Sequence, residues 1–210
     1  MDMNSYLEPD LEHSALISVD IQRDALEGQP YEVPGTSAML PDARRVIEYY
    51  RTGSLPIVHV VRIYLSDGSN VDLCRRRSVE EGGGMFIAGT EGAELADGIL
   101  PGNDIRNDTD LLLSGKLQQV EENEWIMYKP RWGAFYKTPL EGHLRSLGIS
   151  TITVVGCNYP NCPRTTIYEA SERDFRIVAI PDAISGIDKQ ACEELENIGV
   201  VVKSVDSFTW

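Results

Sequence analysis

Apolar, mostly β-branched runs recur along the chain and alternate with stretches of helical spacing. Ala15–Val19 reads as a buried strand ending in Asp20. From Ser37 to Tyr50 the apolar residues Ala38, Leu40, Ala43, Val46, Ile47 and Tyr50 recur at helical spacing, with Pro41 placed in the first turn and Gly53 as the stop. Leu55–Val61 is a second strand, and Trp125–Tyr128 a third that ends at Lys129-Pro130. Pro139–Leu147 follows as a helix, with Thr138 as N-cap, Pro139 at the first helical position and Gly148 closing it. Thr151–Val155 is the fourth strand, Cys162–Arg173 a helix, Phe175–Ile180 the fifth strand, Ala191–Asn197 a helix and Val200–Val202 a short sixth strand.

Strands alternating with helices, several of them continuously apolar, predict an α/β fold: a mainly parallel sheet covered by helices on both faces, in one domain over residues 1–210. Residues 62–123 show no comparable periodicity. They hold Gly82-Gly83-Gly84 and Pro101-Gly102, and an unstructured stretch of that length inside a compact domain is often functional.

This pattern sets three chemical groups in equivalent places. Asp20 ends the first strand, Lys129 the third, and Cys162 follows the fourth across a tight turn. Ligands of open parallel sheets bind outside the carboxyl ends of the strands, so a carboxylate, an ammonium and a thiol converge on one crevice. Taken singly, each has a plain structural reading: a turn residue, a solvated cation, a small buried hydrophobe. Taken together they make a nucleophilic site. Cys162 opens a helix, where backbone N–H groups and the helix dipole favour a thiolate. Asp20 serves as its base, since no histidine is well placed, and Lys129 holds Asp20 ionised. The N–H groups of Asn158 and Cys162 point to the same crevice as an oxyanion hole, a device worth about 3–4 kcal/mol of barrier per donor.

Charge and composition narrow the field. The 210 residues carry a formal net charge of −14, which argues against nucleic acid or an anionic membrane as the main partner. No apolar run is long enough to span a bilayer. Met1–Glu12 is polar and acidic, unlike a signal peptide, and points to the cytoplasm. The four cysteines form no C-x-x-C pair, and the three histidines stand apart from them and from one another. No zinc site, metal or other cofactor is expected.

The segments Leu16-Ile-Ser-Val-Asp20-Ile-Gln22, Lys129-Pro-Arg-Trp-Gly-Ala-Phe135 with Thr138-Pro-Leu140, Val155-Gly-Cys-Asn-Tyr-Pro-Asn-Cys162 and Ile180-Pro-Asp182-Ala183 occur in that order. With them the chain resembles the isochorismatase-like cysteine hydrolases, also called nicotinamidase-related amidohydrolases. The resemblance covers nearly the whole chain. It implies a three-layer α/β/α sandwich around a six-stranded, mainly parallel sheet, a homodimer or homotetramer, and Asp20, Lys129 and Cys162 as the catalytic triad. It also implies a cis peptide at Cys157–Asn158 that aims the Asn158 N–H at the oxyanion.

The chain departs from the family pattern at Tyr159-Pro160, where threonine is usual in the turn, and at Pro163-Arg164 after the nucleophile. It also lacks the Asp-x-His pair of the metal-dependent nicotinamidases: His59 stands alone in an apolar strand and reads as a core histidine. The cysteine itself points to hydrolysis of a C–N bond in a small amide, carbamoyl or ureido compound through a thioester. The other readings are a vinyl-ether hydrolase of the isochorismatase type and a non-catalytic scaffold. Trp132, Phe135 and Tyr159 are candidates for the pocket wall or for packing. Arg164 either faces the crevice to bind an anionic substrate or pairs with a carboxylate such as Glu169. Arg62 and Arg75-Arg76-Arg77 raise the same question of an anionic substrate against surface solvation.

Overall fold

The structure, a computed structural model, describes residues 6–207. The first five residues of the polar N-terminal stretch and residues 208–210 lie outside the described residues. Seven strands form one sheet: β1 (Ser14–Val19), β2 (Ile57–Val61), β3 (Gln118–Glu121), β4 (Glu124–Tyr128), β5 (Thr151–Gly156), β6 (Arg176–Ile184) and β7 (Val201–Val202), in the order β3-β4-β2-β1-β5-β6-β7. All neighbours are parallel except β3, which runs antiparallel to β4 at the edge.

The seventh strand corrects the expected six. β3 has the sequence Gln-Gln-Val-Glu, whose polar character fits a solvated edge and gives no buried-strand signal. The chain builds outward from β1 in one direction through β2 and β4, then returns to the other side through β5, β6 and β7. The sheet therefore reverses direction between β1 and β5, where α/β folds place their ligands.

Side chains alternate across the sheet with the period of two that strands impose. Ala15, Ile17 and Val19 of β1 face one core, with Val58, Val60 and Met127 beside them. Leu16, Ile57, Val61 and Ile126 face the other. The first core is closed by α4 (Leu140–Ser146), α5 (Cys162–Ser171) and α6 (Lys189–Asn197) through Leu144, Ile167 and Leu195. The second is closed by α1 (Thr36–Thr52) and α3 (Thr109–Leu113) through Ala43, Ile47 and Leu112. The result is the expected sandwich.

Helix starts shift from expectation by a residue or two. α1 starts at Thr36, so Pro41 sits inside the helix rather than in its first turn. α4 takes Pro139 as its N-cap, while the Thr138 hydroxyl still accepts from the Leu140 N–H at 3.4 Å. α6 begins two residues early because the Asp188 carboxylate accepts from the Ala191 N–H at 2.8 Å. The unread stretch 62–123 holds α3, β3 and one further helix, α2 (Leu73–Glu80). No helix of the described residues is long and apolar enough to cross a membrane.

His59 is spent within the core, as its sequence setting implied. Its Nδ1 lies 2.7 Å from Ser18 Oγ and its Nε2 2.7 Å from Glu124 Oε1. Glu124 also receives two bonds from Arg51 at the end of α1, at 2.9 and 2.6 Å. Burial works against the Glu124 charge, yet the Arg51 and His59 bonds outweigh it and hold the carboxyl down at about 2.

Candidate active site

β1 delivers Asp20 in the left-handed conformation, φ 50°, with its N–H bonded to Val60 O at 2.9 Å. Few non-glycine residues adopt that conformation unless the surroundings impose it. Here Gln22 supplies the constraint: its amide receives the Arg62 N–H at 2.8 Å and donates to Arg62 O at 2.8 Å. The loops after β1 and β2 are thereby locked together.

β4 delivers Lys129, whose side chain is 0% exposed, and its Nζ lies 2.8 Å from Asp20 Oδ2. The following loop is held by α5: the Thr166 hydroxyl accepts from the Ala134 N–H at 3.1 Å and the Glu169 carboxylate from the Phe135 N–H at 2.9 Å. Gly133 lets the loop pass close to that carboxylate; a Cβ at this position would push Glu169 aside.

β5 delivers Cys162 through the turn 156–161. Gly156 has φ 133° and a side chain on it would strike the Val19 carbonyl, so glycine alone lets the β5 end close on β1. No peptide bond among the described residues is cis, which corrects the expected Cys157–Asn158 geometry. The turn is pinned instead by the Cys157 N–H on Val19 O at 2.8 Å and the Tyr159 N–H on Ser185 O at 2.7 Å. In this turn and at its end, the N–H groups of Asn158 and Cys162 bond to none of the described residues. The Cys162 N–H is free because it opens α5.

Asp20, Lys129 and Cys162 thus meet at one end of the sheet, on either side of the β1/β5 reversal. Asp20 and Cys162 are each 4% exposed. Asp20 Oδ1 is buried and has no hydrogen-bond partner among the described residues. The thiol is pushed up to about 11, first by burial and then by the Asp20 charge, which together outweigh Lys129 and Arg62. This corrects the expected resting thiolate: α5 offers its N-terminus, but a buried sulfur facing a carboxylate keeps its proton.

Trp132 lies against two guanidinium groups, with Arg62 Cζ 5.5 Å and Arg75 Cζ 4.7 Å from its ring centroid. Phe135 turns away from the crevice. Its ring is 5.7 Å from Phe175, at the opposite end of the sheet, inside the α4–α6 core. Tyr159 is buried in the same core. Arg164 is 46% exposed on its side chain and faces α6, 3.7 Å from Glu194. It pairs with a carboxylate, though not with Glu169. The arginine cluster divides: Arg77 pairs with Glu81 on the surface at 2.8 Å, Arg76 donates to Val71 O at 3.3 Å, and Arg75 turns inward.

The sequence names Arg62 and Arg75 only through the question of an anionic substrate, and gives Gln22 and Asp72 no role at the site. Gln22 stands in the quoted strand motif, two residues after Asp20, which is the available signal; Asp72 lies where periodicity is lost.

An isochorismatase domain model matches residues 14–207. A probable inactive nicotinamidase of Arabidopsis thaliana is 30% identical over 204 residues, covering 94% of this chain and 95% of that protein. Among solved structures, an isochorismatase family protein of Desulfovibrio vulgaris superposes with a TM-score of 0.77 at 30% identity, covering 93% of this chain and 95% of its own. The N-carbamoylsarcosine amidase of Thermoplasma acidophilum gives 0.73 at 25%, covering 94% and 99%. Matched along nearly its whole described length in sequence and in fold, this chain belongs to the isochorismatase family, whose relatives here include amidohydrolases acting on non-peptide C–N bonds.

Proposed function

We propose that the protein is a cysteine amidohydrolase that cleaves a small amide, carbamoyl or ureido compound through a thioester on Cys162. The observation that carries this reading is the buried Lys129–Asp20 pair beside a protonated thiol, with one Asp20 oxygen unpartnered. Asp20 takes the thiol proton as the sulfur attacks the carbonyl carbon. The new oxyanion falls to the N–H groups of Asn158 and Cys162. The intermediate collapses, the C–N bond breaks, and Asp20 returns the proton to the departing ammonia or amine. Water then adds to the thioester, giving its proton to Asp20, and the second intermediate expels the sulfur, which takes that proton back. Lys129 holds the Asp20 carboxyl in place through their 2.8 Å contact. The amidase and amidohydrolase relatives support this class of reaction.

The test is a panel of small amides and ureides scored for ammonia release, with intact-mass detection of an adduct on Cys162 after rapid quenching. Adducts confined to Cys74, Cys157 or Cys192 would move the nucleophile. The non-catalytic scaffold has one point in its favour, the inactive relative from Arabidopsis. It predicts no ammonia release from any member of the panel.

The raised thiol pKa gives a pH prediction with a definite sign. Below about 11 only a minor fraction of Cys162 is thiolate, and that fraction grows with pH. Alkylation of Cys162 by iodoacetamide therefore rises about tenfold per pH unit between pH 7 and 9, with no plateau. Peptide mapping after timed quenches reads the rate at this cysteine alone. A plateau below pH 8 would restore the thiolate and remove the need for Asp20 as base.

A further inference from the structure

A single carbonyl joins the catalytic pair to the arginine cluster. Arg131 O accepts from Lys129 Nζ at 3.2 Å and also from Arg62 Nη2. The Arg62 charge is paired: its Nη1 lies 2.8 Å from Asp72 Oδ2 and donates to Pro130 O at 3.1 Å, while its buried Nε has no partner among the described residues. Asp72 Oδ2 is also taken by the Tyr64 hydroxyl at 2.6 Å.

Arg75 differs. It stands in the first turn of α2, half-buried, with its guanidinium over the Trp132 ring. Its Nη1 donates to the neutral Tyr64 hydroxyl at 3.0 Å. The ion pairs of this corner run from Arg62 and Arg131 to Asp72, and no carboxylate of the described residues pairs with Arg75. A guanidinium keeps its proton at any ordinary pH, so Arg75 is a cation here. A cation without a carboxylate partner, stacked on an aromatic ring, partly shielded from water and within electrostatic reach of Cys162, is arranged to receive an anion.

We propose that Arg75 binds a carboxylate of the substrate, so that the enzyme takes small amides or ureides bearing a carboxylate near the scissile group, as N-carbamoyl amino acids do. This rests on the amidohydrolase reading, and its first test does not need turnover.

Iodoacetate and iodoacetamide both alkylate a thiolate with loss of iodide and differ in charge. Their rate ratio at Cys162, referred to the same ratio for glutathione at the same pH, cancels the ionisation of the thiol. The ratio at Cys162 is expected to favour iodoacetate by about tenfold or more over glutathione, and R75Q to remove most of that preference while R75K keeps part of it. A ratio equal to that of glutathione, or unchanged in R75Q, would overturn the proposal whether or not any amide is hydrolysed.

The second test compares N-carbamoylglycine with its uncharged amide. The acid is expected to be preferred by about 100-fold in kcat/KM, and R75Q to cost the acid at least about tenfold more than the amide, through KM. Equal losses on both compounds would also overturn it. Absence of ammonia from the whole panel would instead remove the amidohydrolase reading and leave the alkylation ratio to decide the anion site.

Discussion

Cys162→Ala loses turnover by about 10⁴-fold or more, because the sulfur that carries the covalent intermediate is gone. Asp20 and the two N–H groups remain, so a small residue of catalysis over water persists. The fold survives. The substitution deletes one sulfur from the edge of a core otherwise built by Ile17, Val154 and Ile167, a change of about 1 kcal/mol by analogy with small truncations. Cys162→Ser is also nearly inactive, since a carboxylate base is poorly matched to a hydroxyl of much higher pKa. Ammonia release and thermal unfolding followed by circular dichroism, measured on the same preparations, check both halves. Full activity in either variant would end the thioester mechanism. Inactivity accompanied by a collapsed unfolding transition would show that Cys162 is structural.

The three strand ends were legible for a physical reason. β1, β4 and β5 are short apolar runs that strands of a covered sheet demand, and a polar residue placed just after such a run has to sit at the sheet's end. Knowing that Asp20, Lys129 and Cys162 follow three parallel strands was therefore enough to bring them together. The charge state of the thiol was not legible. It depends on burial and on the Asp20 carboxylate, which only the folded chain sets against the sulfur.

Phe135 shows the second limit. Its position in the sequence, six residues after Lys129, places it near the crevice, while its side chain packs on Phe175 at the far end of the sheet. Spacing in a loop carries no information about direction. α2 shows the third. Val79 is its buried apolar residue and Leu73 is 83% exposed, so the helix has no apolar stripe to read. Arg75 owes its place to Trp132 and Tyr64, two aromatics far from it or off its helix face, and neither contact leaves a local signature.

Lys129→Met is expected to damage stability and activity together, and the reason lies in the asymmetry of a buried pair. The ammonium is 0% exposed and 2.8 Å from Asp20 Oδ2, while Asp20 Oδ1 already lacks a partner. Methionine fills most of the volume and leaves both carboxylate oxygens uncompensated in the interior, which costs about 3–5 kcal/mol for a broken buried pair. The alternative open to the variant is to protonate Asp20, and a protonated carboxyl can no longer accept the proton of Cys162. Either way turnover is lost. Asp20→Asn with Lys129→Met removes the charge problem and is expected to recover most of the stability with none of the activity. Chemical denaturation of the two single variants and the double variant gives the coupling energy directly. A double variant no more stable than Lys129→Met would mean that lysine packing, rather than the ion pair, holds this end of the sheet. A Lys129→Met protein that kept its stability and still released ammonia would mean that Asp20 neither needs its partner nor serves as the base.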